Sequence, residues 1–276
     1  MGTKITTLVE NTVTAGLVPL LGEHGLSFLV ECDGKPILFD AGQGLALPGN
    51  ARSLGVDLKS IDTVVLSHGH YDHAKGLKPL AEINGGFRVI GHDAIFEEKL
   101  ACLGTDCFPI GIGSTRAELD QLGIDFQLSK EPVEIAPGVM TTGEIPFTSF
   151  ETVEPMFFKE AAGGRLPDDL PDDNALILDT AQGTVVVLGC AHRGVVNTLH
   201  HVAALTGKKK IHAILGGLHL FLADPARLDK VCEALAPFEI DRMIVGHCTG
   251  FAAIAALYQK FGNKVTPNSV GISVGF

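Results

Sequence analysis

The heptapeptide "SHGHYDH" (67–73) follows the apolar run "TVVL" and carries three histidines and an aspartate. In an extended segment, side chains two residues apart point to the same side, so His68 and His70 are expected to converge on one point. As the chain turns into a helix, Asp72 and His73 can face a second point nearby. Neutral imidazole and carboxylate groups suit zinc, iron or manganese. The stretch therefore predicts that one or two divalent metal ions bind here. Two such ions about 3.5–4 Å apart would form a site for hydrolysis or group transfer.

The composition is that of a folded, acidic protein. Hydrophobic residues make up 46% of the 276 positions and charged residues 19%, which excludes a disordered chain. The net charge of −11 argues against nucleic acid, because proteins that bind phosphodiester backbones normally present a basic face. Apolar runs such as "FAAIAAL" (251–257) are shorter than the roughly 20 residues that span a bilayer. Without an apolar signal core at the start, we expect a cytoplasmic protein with no membrane partner.

The cysteines show neither a CxxC pair nor the spacing of a disulfide framework. Together with the missing signal core, this predicts reduced thiols. The six are Cys32, Cys102, Cys107, Cys190, Cys232 and Cys248.

Strand and helix patterns recur in both halves of the chain. Strands are predicted at 5–9, 27–30, 37–40, 60–67, 87–92, 174–180, 184–189, 210–217 and 242–246. Helices are predicted over 73–85, 194–207, 224–238 and 250–262. Several of the apolar strands end at a histidine. The layout predicts an α/β fold, a four-layer αββα sandwich with helices outside two packed sheets.

No composition break divides the chain, so a single domain over 1–276 is expected. The segment at about 93–173 has little periodicity and is expected to be an irregular lid or insertion. Most of its aspartates are expected to face solvent; the alternative is that the "DD" pair at 172–173 holds the lid against a basic group. The aspartates considered are Asp106, Asp168, Asp169, Asp172 and Asp173.

The H-x-H-x-D-H pattern resembles the hallmark of the metallo-β-lactamase fold superfamily, and further segments extend the resemblance over nearly the whole chain. "LFDAGQG" (38–44) resembles the first motif of that superfamily. "GCAHRGVVNT" (189–198), "GGLHL" (216–220) and "GHCTG" (246–250) are similar to one branch, as are "DDNALIL" and "TGEIPF". That branch is typified by 7,8-dihydropterin-6-methyl-4-(β-D-ribofuranosyl)aminobenzene-5′-phosphate synthase.

The resemblance implies metal ligands beyond the heptapeptide. His192 and His247 each follow a predicted strand. By resemblance, His192 would join His68 and His70 at one metal, and His247 would complete the second position. Asp40 would lie behind the metals.

Two positions depart from the pattern of the family. Most dinuclear members of the superfamily have a bridging aspartate where this chain has Cys190. A thiolate there could ligate a metal, or the residue could be an inert small side chain, and the sequence leaves both open. The branch also tends to have a basic residue after "GEIP", where Phe147 stands. If that basic residue contacts anions, the substrate of this protein differs.

Residues outside the metal set are expected to meet the substrate. His219 follows another predicted strand and is expected to donate to a phosphate or a developing oxyanion. Thr249 and Gly250 open the last predicted helix, where free backbone amides favour an anion. The remaining histidines lack partner spacing and are expected to be structural or surface residues: His24, His92, His200, His201 and His212.

The resemblance implies a metal-dependent hydrolase in which a metal-bound hydroxide attacks a small anionic ester, lactone or phosphoester. Asp72 would orient the water and carry its proton. The same residues would serve a transferase of the dihydropteroate-synthase-like type that displaces pyrophosphate from a pterin. A di-iron redox protein and an inactive metal-binding protein also stay open, although the oxygen-reducing branch has glutamate in place of His70. The expected partner is a small anionic molecule, and a homo-oligomer stays open.

Overall fold

Two seven-stranded sheets contain most of the strands, and the computed structural model describes residues 2–14 and 16–276. The strands of the first half are β1 (Thr3–Val9), β2 (Ser27–Cys32), β3 (Lys35–Phe39), β4 (Thr63–Val65), β5 (Arg88–Gly91), β6 (Lys99–Leu103), β7 (Asp106–Pro109), β8 (Asp125–Leu128), β9 (Glu134–Ala136) and β10 (Val139–Thr141). Those of the second half are β11 (Phe157–Ala161), β12 (Gly164–Pro167), β13 (Ala175–Thr180), β14 (Gly183–Leu188), β15 (Ile211–Gly216), β16 (Arg242–Val245), β17 (Val265–Pro267) and β18 (Ser273–Gly275).

The helices lie between these strands and are short. They are α1 (Leu47–Ser53), α2 (Tyr71–Ala74), α3 (Leu77–Asn84), α4 (Arg116–Asp120), α5 (Val195–Thr206), α6 (Pro225–Leu235) and α7 (Phe251–Phe261). Within the described part of the chain, no helix is long and apolar enough to cross a membrane.

Parallel strands bring the predicted site residues to one rim of the molecule. The first sheet has the order β18-β1-β2-β3-β4-β5-β8, and the second β17-β16-β15-β14-β13-β10-β9. β3, β4, β5 and β8 run parallel to one another, as do β14, β15, β16 and β17. Because parallel strands end at the same edge, the residues that follow β3 and β4 gather together, as do those after β14, β15 and β16.

Three apolar clusters separate the layers. One lies between the sheets and contains Phe28 of β2 and Leu176 of β13. Another packs Leu80 of α3 against the outer face of the first sheet. The third packs Leu199 of α5 and Leu257 of α7 against the second sheet. Fully burying each such side chain stabilises the fold by about 1.5–3 kcal/mol. The predicted four-layer αββα sandwich is confirmed.

The helix predicted over 73–85 is interrupted. α2 ends at Ala74 and α3 begins at Leu77, with Gly76 between them. A Cβ at Gly76 would lie 2.0 Å from the carbonyl oxygen of Ala41. The absence of a side chain lets the loop after β3 pass this close, and the helical pattern in the sequence does not reveal the contact.

A third sheet forms in the segment 93–173, for which the sequence predicts irregular structure. Its strand order is β12-β11-β6-β7, while β8, β9 and β10 extend the two main sheets. The strands of the third sheet are four or five residues long and largely exposed or half-buried. Such strands lack the apolar alternation by which a sequence predicts them. The prediction that this segment has irregular secondary structure is therefore wrong. The prediction that it acts as a lid is not tested by the fold and stays a prediction.

A disulfide joins Cys102 and Cys107, which corrects the prediction that all cysteines are reduced. The two residues are directly opposite each other in the β6–β7 hairpin, with Cα atoms 4.1 Å apart. Their proximity depends on a hairpin that the sequence does not predict. The free cysteines are Cys32, Cys190, Cys232 and Cys248.

Glu151 holds the start of α5, the helix that follows the predicted ligand His192. Its Oε2 accepts hydrogen bonds from the backbone N–H of Val196 at 2.7 Å and of Asn197 at 3.4 Å. The side chain is buried. Burial raises the pKa of Glu151 to about 6, and these hydrogen bonds oppose the shift only in part.

This raised pKa predicts a pH-dependent stability. A carboxyl whose pKa is higher in the folded than in the unfolded state stabilises the fold fully below the unfolded value near 4.5 and loses that contribution as pH rises through about 6. The unfolding free energy of the wild type minus that of Glu151→Gln should therefore fall by about 2 kcal/mol between pH 4 and pH 7. Denaturant titrations of both proteins measure it, and a constant difference would contradict the assignment.

Candidate metal centre

Three histidine nitrogens meet at the rim and form what we call the histidine cluster: His68, His70 and His192. His68 Nε2 lies 3.0 Å from His70 Nδ1 and 3.2 Å from His192 Nε2. All three side chains are buried. Burial lowers the pKa of each imidazole, that of His70 to about 3. The rings are therefore neutral near pH 7, the form that binds metal ions.

The spacing of these nitrogens is compatible both with hydrogen bonds and with a shared metal ion, and the number of protons favours the metal ion. His68 Nε2 carries at most one proton, so it can donate a hydrogen bond to His70 Nδ1 or to His192 Nε2 but not well to both. The outward nitrogens of the other two rings, His70 Nε2 and His192 Nδ1, are buried and have no hydrogen-bond partner among the described residues, so no outer contact fixes where either ring carries its proton. Tetrahedral zinc, with bonds of about 2.0–2.1 Å to imidazole, holds its ligand nitrogens about 3.3 Å apart. The observed separations of 3.0 and 3.2 Å are close to that value.

A second group of donors, the mixed cluster, adjoins the first and consists of Asp72, His73, Cys190 and His247. His73 Nε2 lies 3.1 Å from His247 Nε2, 3.2 Å from Cys190 Sγ and 3.6 Å from Asp72 Oδ2. Burial alone would lower the pKa of His73, but the carboxylates of Asp72 and Asp40 raise it to about 9. The mixed cluster thus favours positive charge, and a metal cation can take the place of that proton.

Asp40 orients both clusters from behind. It is fully buried, and its Oδ2 accepts hydrogen bonds from His73 Nδ1 and from the Ser67 hydroxyl, both at 2.7 Å. The Ser67 hydroxyl also lies 2.8 Å from His68 Nδ1. These contacts occupy the Nδ1 atoms and leave the Nε2 atoms of both rings to face the clusters, as outer partners of metal-binding histidines do.

Strained backbone concentrates at this rim. Asp40, Ala191, His219 and His247 all have positive φ, between +47° and +59°. Non-glycine residues in this region cost of order 1–3 kcal/mol each and persist where the surroundings hold them, which is common at functional sites. The strain places side chains that follow β3, β14, β15 and β16 in one small volume.

Comparison with known proteins places this arrangement in a family. A sequence profile of the metallo-beta-lactamase superfamily matches residues 21–109. The 7,8-dihydropterin-6-methyl-4-(beta-D-ribofuranosyl)-aminobenzene-5′-phosphate synthase of Methanocaldococcus jannaschii is 32% identical over 94% of this chain and 91% of its own length. The chain belongs to the metallo-β-lactamase superfamily. Within the superfamily it falls in the branch of that synthase.

Two further relatives cover the full length. The uncharacterized protein MJ0448 of the same archaeon is 35% identical over 97% of this chain and 98% of its own. The solved structure of Tm1679, described as a metal-dependent hydrolase of the beta-lactamase superfamily, aligns with a TM-score of 0.85 and 28% identity. That alignment covers 99% of this chain and 98% of the other. The metallo-β-lactamase fold therefore extends over the whole chain.

The structure brings the sequence-predicted ligands together. The six predicted histidine and aspartate ligands lie in the two clusters, and Cys190, a member of the mixed cluster, also approaches the histidine cluster. Cys190 Sγ is within 4.8 Å of donor atoms of His68 and His192 in the histidine cluster, of His73 in the mixed cluster and of His219. The assignment of each side chain as a metal ligand stays a prediction, which metal analysis tests below.

His219 stands beside the histidine cluster. Its ring centroid is 4.2 Å from that of His192, and the residue is 7% exposed. Neither ring nitrogen has a partner among the described residues. Such a side chain is free to bind a ligand, and its predicted role toward substrate stays a prediction.

Phe157 of β11 covers the histidine cluster. Its ring centroid lies 5.4 Å from that of His70, 5.0 Å from His192 and 5.6 Å from His219. The third sheet therefore packs an aromatic ring against three histidines of the candidate site. The sequence carries no signal for this role, because a lone phenylalanine is an ordinary core residue.

Thr249 and Gly250, the predicted anion-binding pair, have internal contacts. The Thr249 side chain is buried, and its hydroxyl oxygen accepts the backbone N–H of Leu218 at 3.1 Å. Gly250 has φ +76°, and a Cβ there would lie 2.8 Å from that of Phe221. Both residues shape the turn before α7, and their contact with an anion stays a prediction.

Lys99 links the third sheet to the H-x-H loop, which the sequence does not reveal. Its buried Nζ donates to Asp172 Oδ1 at 2.8 Å and to Asp168 Oδ2 at 3.3 Å. Asp172 Oδ2 accepts the backbone N–H of Gly69, between the first two histidines, at 2.8 Å. Asp168, Asp172 and Asp173 are all buried, so the expectation that most of these aspartates face solvent is wrong for them. The alternative, a contact with a basic group, holds for Asp172.

Two more residues contact the mixed cluster, and no pattern in the sequence predicts either contact. The spacing of His24 predicts no partner, but its Nε2 lies 3.7 Å from Asp72 Oδ2. Asn11 Oδ1 lies 3.0 Å from His247 Nδ1 and orients that ring. Long sequence separations hide both contacts. The remaining histidines bond to backbone or surface groups: His92, His200, His201 and His212.

Proposed function

We propose that the protein is a metal-dependent hydrolase that cleaves a small anionic ester, with a phosphoester or a lactone as the substrate class. The observation that carries the proposal is the spacing of the nitrogens in the histidine cluster, which matches that around a tetrahedral metal ion. Membership of the superfamily and the similarity to Tm1679, described as a metal-dependent hydrolase, support it.

The histidine cluster would hold one divalent ion and the mixed cluster a second. When bound, such ions polarise the scissile group and lower the pKa of a water molecule from about 15.7 to near 7. Imidazole and thiolate donors suit zinc, whereas a site of imidazole and carboxylate also accepts iron or manganese. We therefore propose zinc as the native metal, on the strength of the Cys190 thiol, which is within reach of both clusters.

Asp72 would orient the attacking water and relay its proton to the neighbouring His24 ring without holding it. Its Oδ2 lies 3.3 Å from His247 Nε2, and the residue is 7% exposed, so it faces the mouth of the site. Burial alone would raise the pKa of Asp72, but His73 and His247 lower it well below its usual range. The carboxylate therefore stays ionised and accepts hydrogen bonds. His24, whose exposed ring lies 3.7 Å away, would pass the proton to solvent.

The substrate anion would meet His219 rather than a free lysine or arginine. The two buried basic side chains near the rim are already paired, Lys99 with Asp172 at 2.8 Å and Arg193 with Asp169 at 2.9 Å. His219 can donate to a developing oxyanion from a nitrogen that has no other partner in the described structure. One such donor in a protein of net charge −11 fits a small substrate of low negative charge rather than nucleic acid.

A transferase that displaces pyrophosphate from a pterin is the second candidate, and the 32% identity to the archaeal synthase favours it. A cavity of about 280 Å³ lies beside the site, lined in part by Phe147, Phe157 and Pro155. Aromatic and proline walls suit a flat ring. The Arg193 guanidinium lies 4.6 Å from the Phe147 ring. Arg193 thus places a basic side chain, paired with Asp169 and Glu144, beside the position where the branch tends to have a basic residue.

Turnover by the metal-loaded protein tests both candidates. A hydrolase should cleave at least one of a nitrophenyl phosphodiester, a lactone and a thioester, and Asp72→Asn should lower kcat by about 10²–10⁴-fold. His200→Ala, at an exposed position on α5, is the control and should keep wild-type turnover. Coupling of an aryl amine to a pterin with release of pyrophosphate, without ester cleavage, would support the transferase instead. Fully loaded protein that turns over none of these would reject both.

A further inference from the structure

Cys248, next to the predicted ligand His247, places a second thiol at the mixed cluster. Its Sγ lies 3.6 Å from the carbonyl oxygen of Cys190. The donor atoms of Cys190, His247 and Cys248 all lie within 4.8 Å of one another. Cys190 is buried and Cys248 half-buried. Three soft or borderline donors from the ends of two parallel strands thus surround one small volume.

The backbone makes room for the Cys248 thiol. A Cβ at Gly217 would lie 2.5 Å from Cys248 Sγ and 2.7 Å from the carbonyl oxygen of Gly189. The positive φ of His247 turns the chain here, and the backbone N–H of Phe221 donates to the Cys248 carbonyl at 3.2 Å. The absence of a side chain at Gly217 therefore leaves space for the Cys248 thiol, and the backbone of Cys248 is fixed by its hydrogen bond to Phe221.

His219 provides an independent sign that a ligand belongs at this place. The residue is 7% exposed, and apart from an interaction with the Cys248 thiol both ring nitrogens lack a partner among the described residues. One of them lies within 4.8 Å of the donor atoms of Cys190 and His192. An unpartnered buried imidazole costs free energy unless something binds it, and a cation held by the thiols would lie within its reach.

We propose that Cys248 is a metal ligand, which together with Cys190 and His247 makes a thiolate-rich position that selects soft ions such as zinc or cadmium over magnesium or calcium. This inference rests on the metal centre of the proposed function. Thiolate selects zinc and other soft ions, whereas hard ions prefer oxygen ligands. Each thiol releases its proton to solvent as it binds the ion. Cys190, whose donor atom lies within 4.8 Å of donors in both clusters, would then supply the other thiolate.

The test is a cadmium titration of metal-free protein, carried out anaerobically and without reductant so that the Cys102–Cys107 disulfide stays closed. Wild-type protein should develop a thiolate-to-cadmium charge-transfer band in the ultraviolet. Cys248→Ser should keep roughly half of that band, because one of two thiolates remains. Cys32→Ser, a half-buried thiol on β2 far from the rim, is the matched control and should keep the full band. A full band in Cys248→Ser would overturn the proposal.

A second measurement avoids the risk that the variant fails to fold. Zinc loading of wild-type protein should slow the alkylation of Cys248 at least about tenfold, because a coordinated thiolate is not free to react. Cys32 should react at the same rate with and without zinc. Equal rates at Cys248 would overturn the proposal.

The failure of this proposal can be told apart from the failure of the proposed function. A cadmium–thiolate band without ester turnover would reject the hydrolase alone. Ester turnover together with an unchanged cadmium band in Cys248→Ser would reject Cys248 as a ligand alone.

Discussion

Replacing His70 by alanine should remove at least one equivalent of metal and lower ester turnover by about a thousandfold or more. The reason is that His70 Nδ1 lies 3.0 Å from His68 Nε2 and supplies one of the three nitrogens of the histidine cluster. The metal contributes several kcal/mol of transition-state stabilisation, and each 1.36 kcal/mol is a factor of ten in rate. Elemental analysis of the purified variant, beside kcat/KM on the best ester, measures both effects.

His92→Ala is the matched control for this change. His92 is also a buried histidine, but its Nδ1 accepts the backbone N–H of Ala94 at 3.0 Å and takes no part in either cluster. His92→Ala should lower the unfolding free energy, as the loss of any buried imidazole does, but the variant should keep its full metal content. An unchanged metal count in His70→Ala would contradict the assignment of the histidine cluster.

Replacing Lys99 by methionine should destabilise the metal-free protein by about 3–5 kcal/mol, because it leaves the buried carboxylates of Asp168 and Asp172 without a counter-ion. Burial alone would lower the pKa of Lys99, but Asp172 and Asp168 raise it, so the ammonium remains charged. Zinc affinity should also fall, by about 10–100-fold, since Asp172 holds the Gly69 amide of the H-x-H loop. Urea unfolding and zinc titration measure the two effects.

The surface pair of Lys208 and Asp179 gives a control with similar geometry and different burial. Their charged atoms are 2.7 Å apart, but both side chains are at least half exposed. Lys208→Met should change stability by about 0–1 kcal/mol. If Lys99→Met behaved like Lys208→Met, with no loss of zinc affinity, the proposed link from the third sheet to the metal loop would be wrong.

The sequence predicts the fold and the rim well because both depend on local patterns. Apolar strands bounded by turns define the sheets, and a histidine directly after a parallel strand is delivered to the same edge as its neighbours. That rule places His68 at the edge of the first sheet and His192 and His247 at the edge of the second, and the resemblance to the superfamily predicts that the two edges meet. Recognition of the superfamily adds Asp40 behind the site, where the structure has it.

The rest of the site depends on contacts between distant residues, which no local pattern records. Lys99 meets Asp172 across 73 positions, and Phe157 reaches the histidines only because the third sheet folds over the rim. The short strands of that sheet carry no apolar alternation, so the sequence does not predict the Cys102–Cys107 disulfide on its hairpin. Nor does it predict the contact of Cys248 with Cys190, because the two residues follow different strands.

The most direct test of the central claim is anomalous diffraction from crystals of the zinc-loaded protein, collected above and below the zinc absorption edge. We predict an anomalous peak within about 2.0–2.1 Å of His68 Nε2, His70 Nδ1 and His192 Nε2. Zinc bound elsewhere on the protein, with those three nitrogens bare or turned apart, would contradict the account of this site.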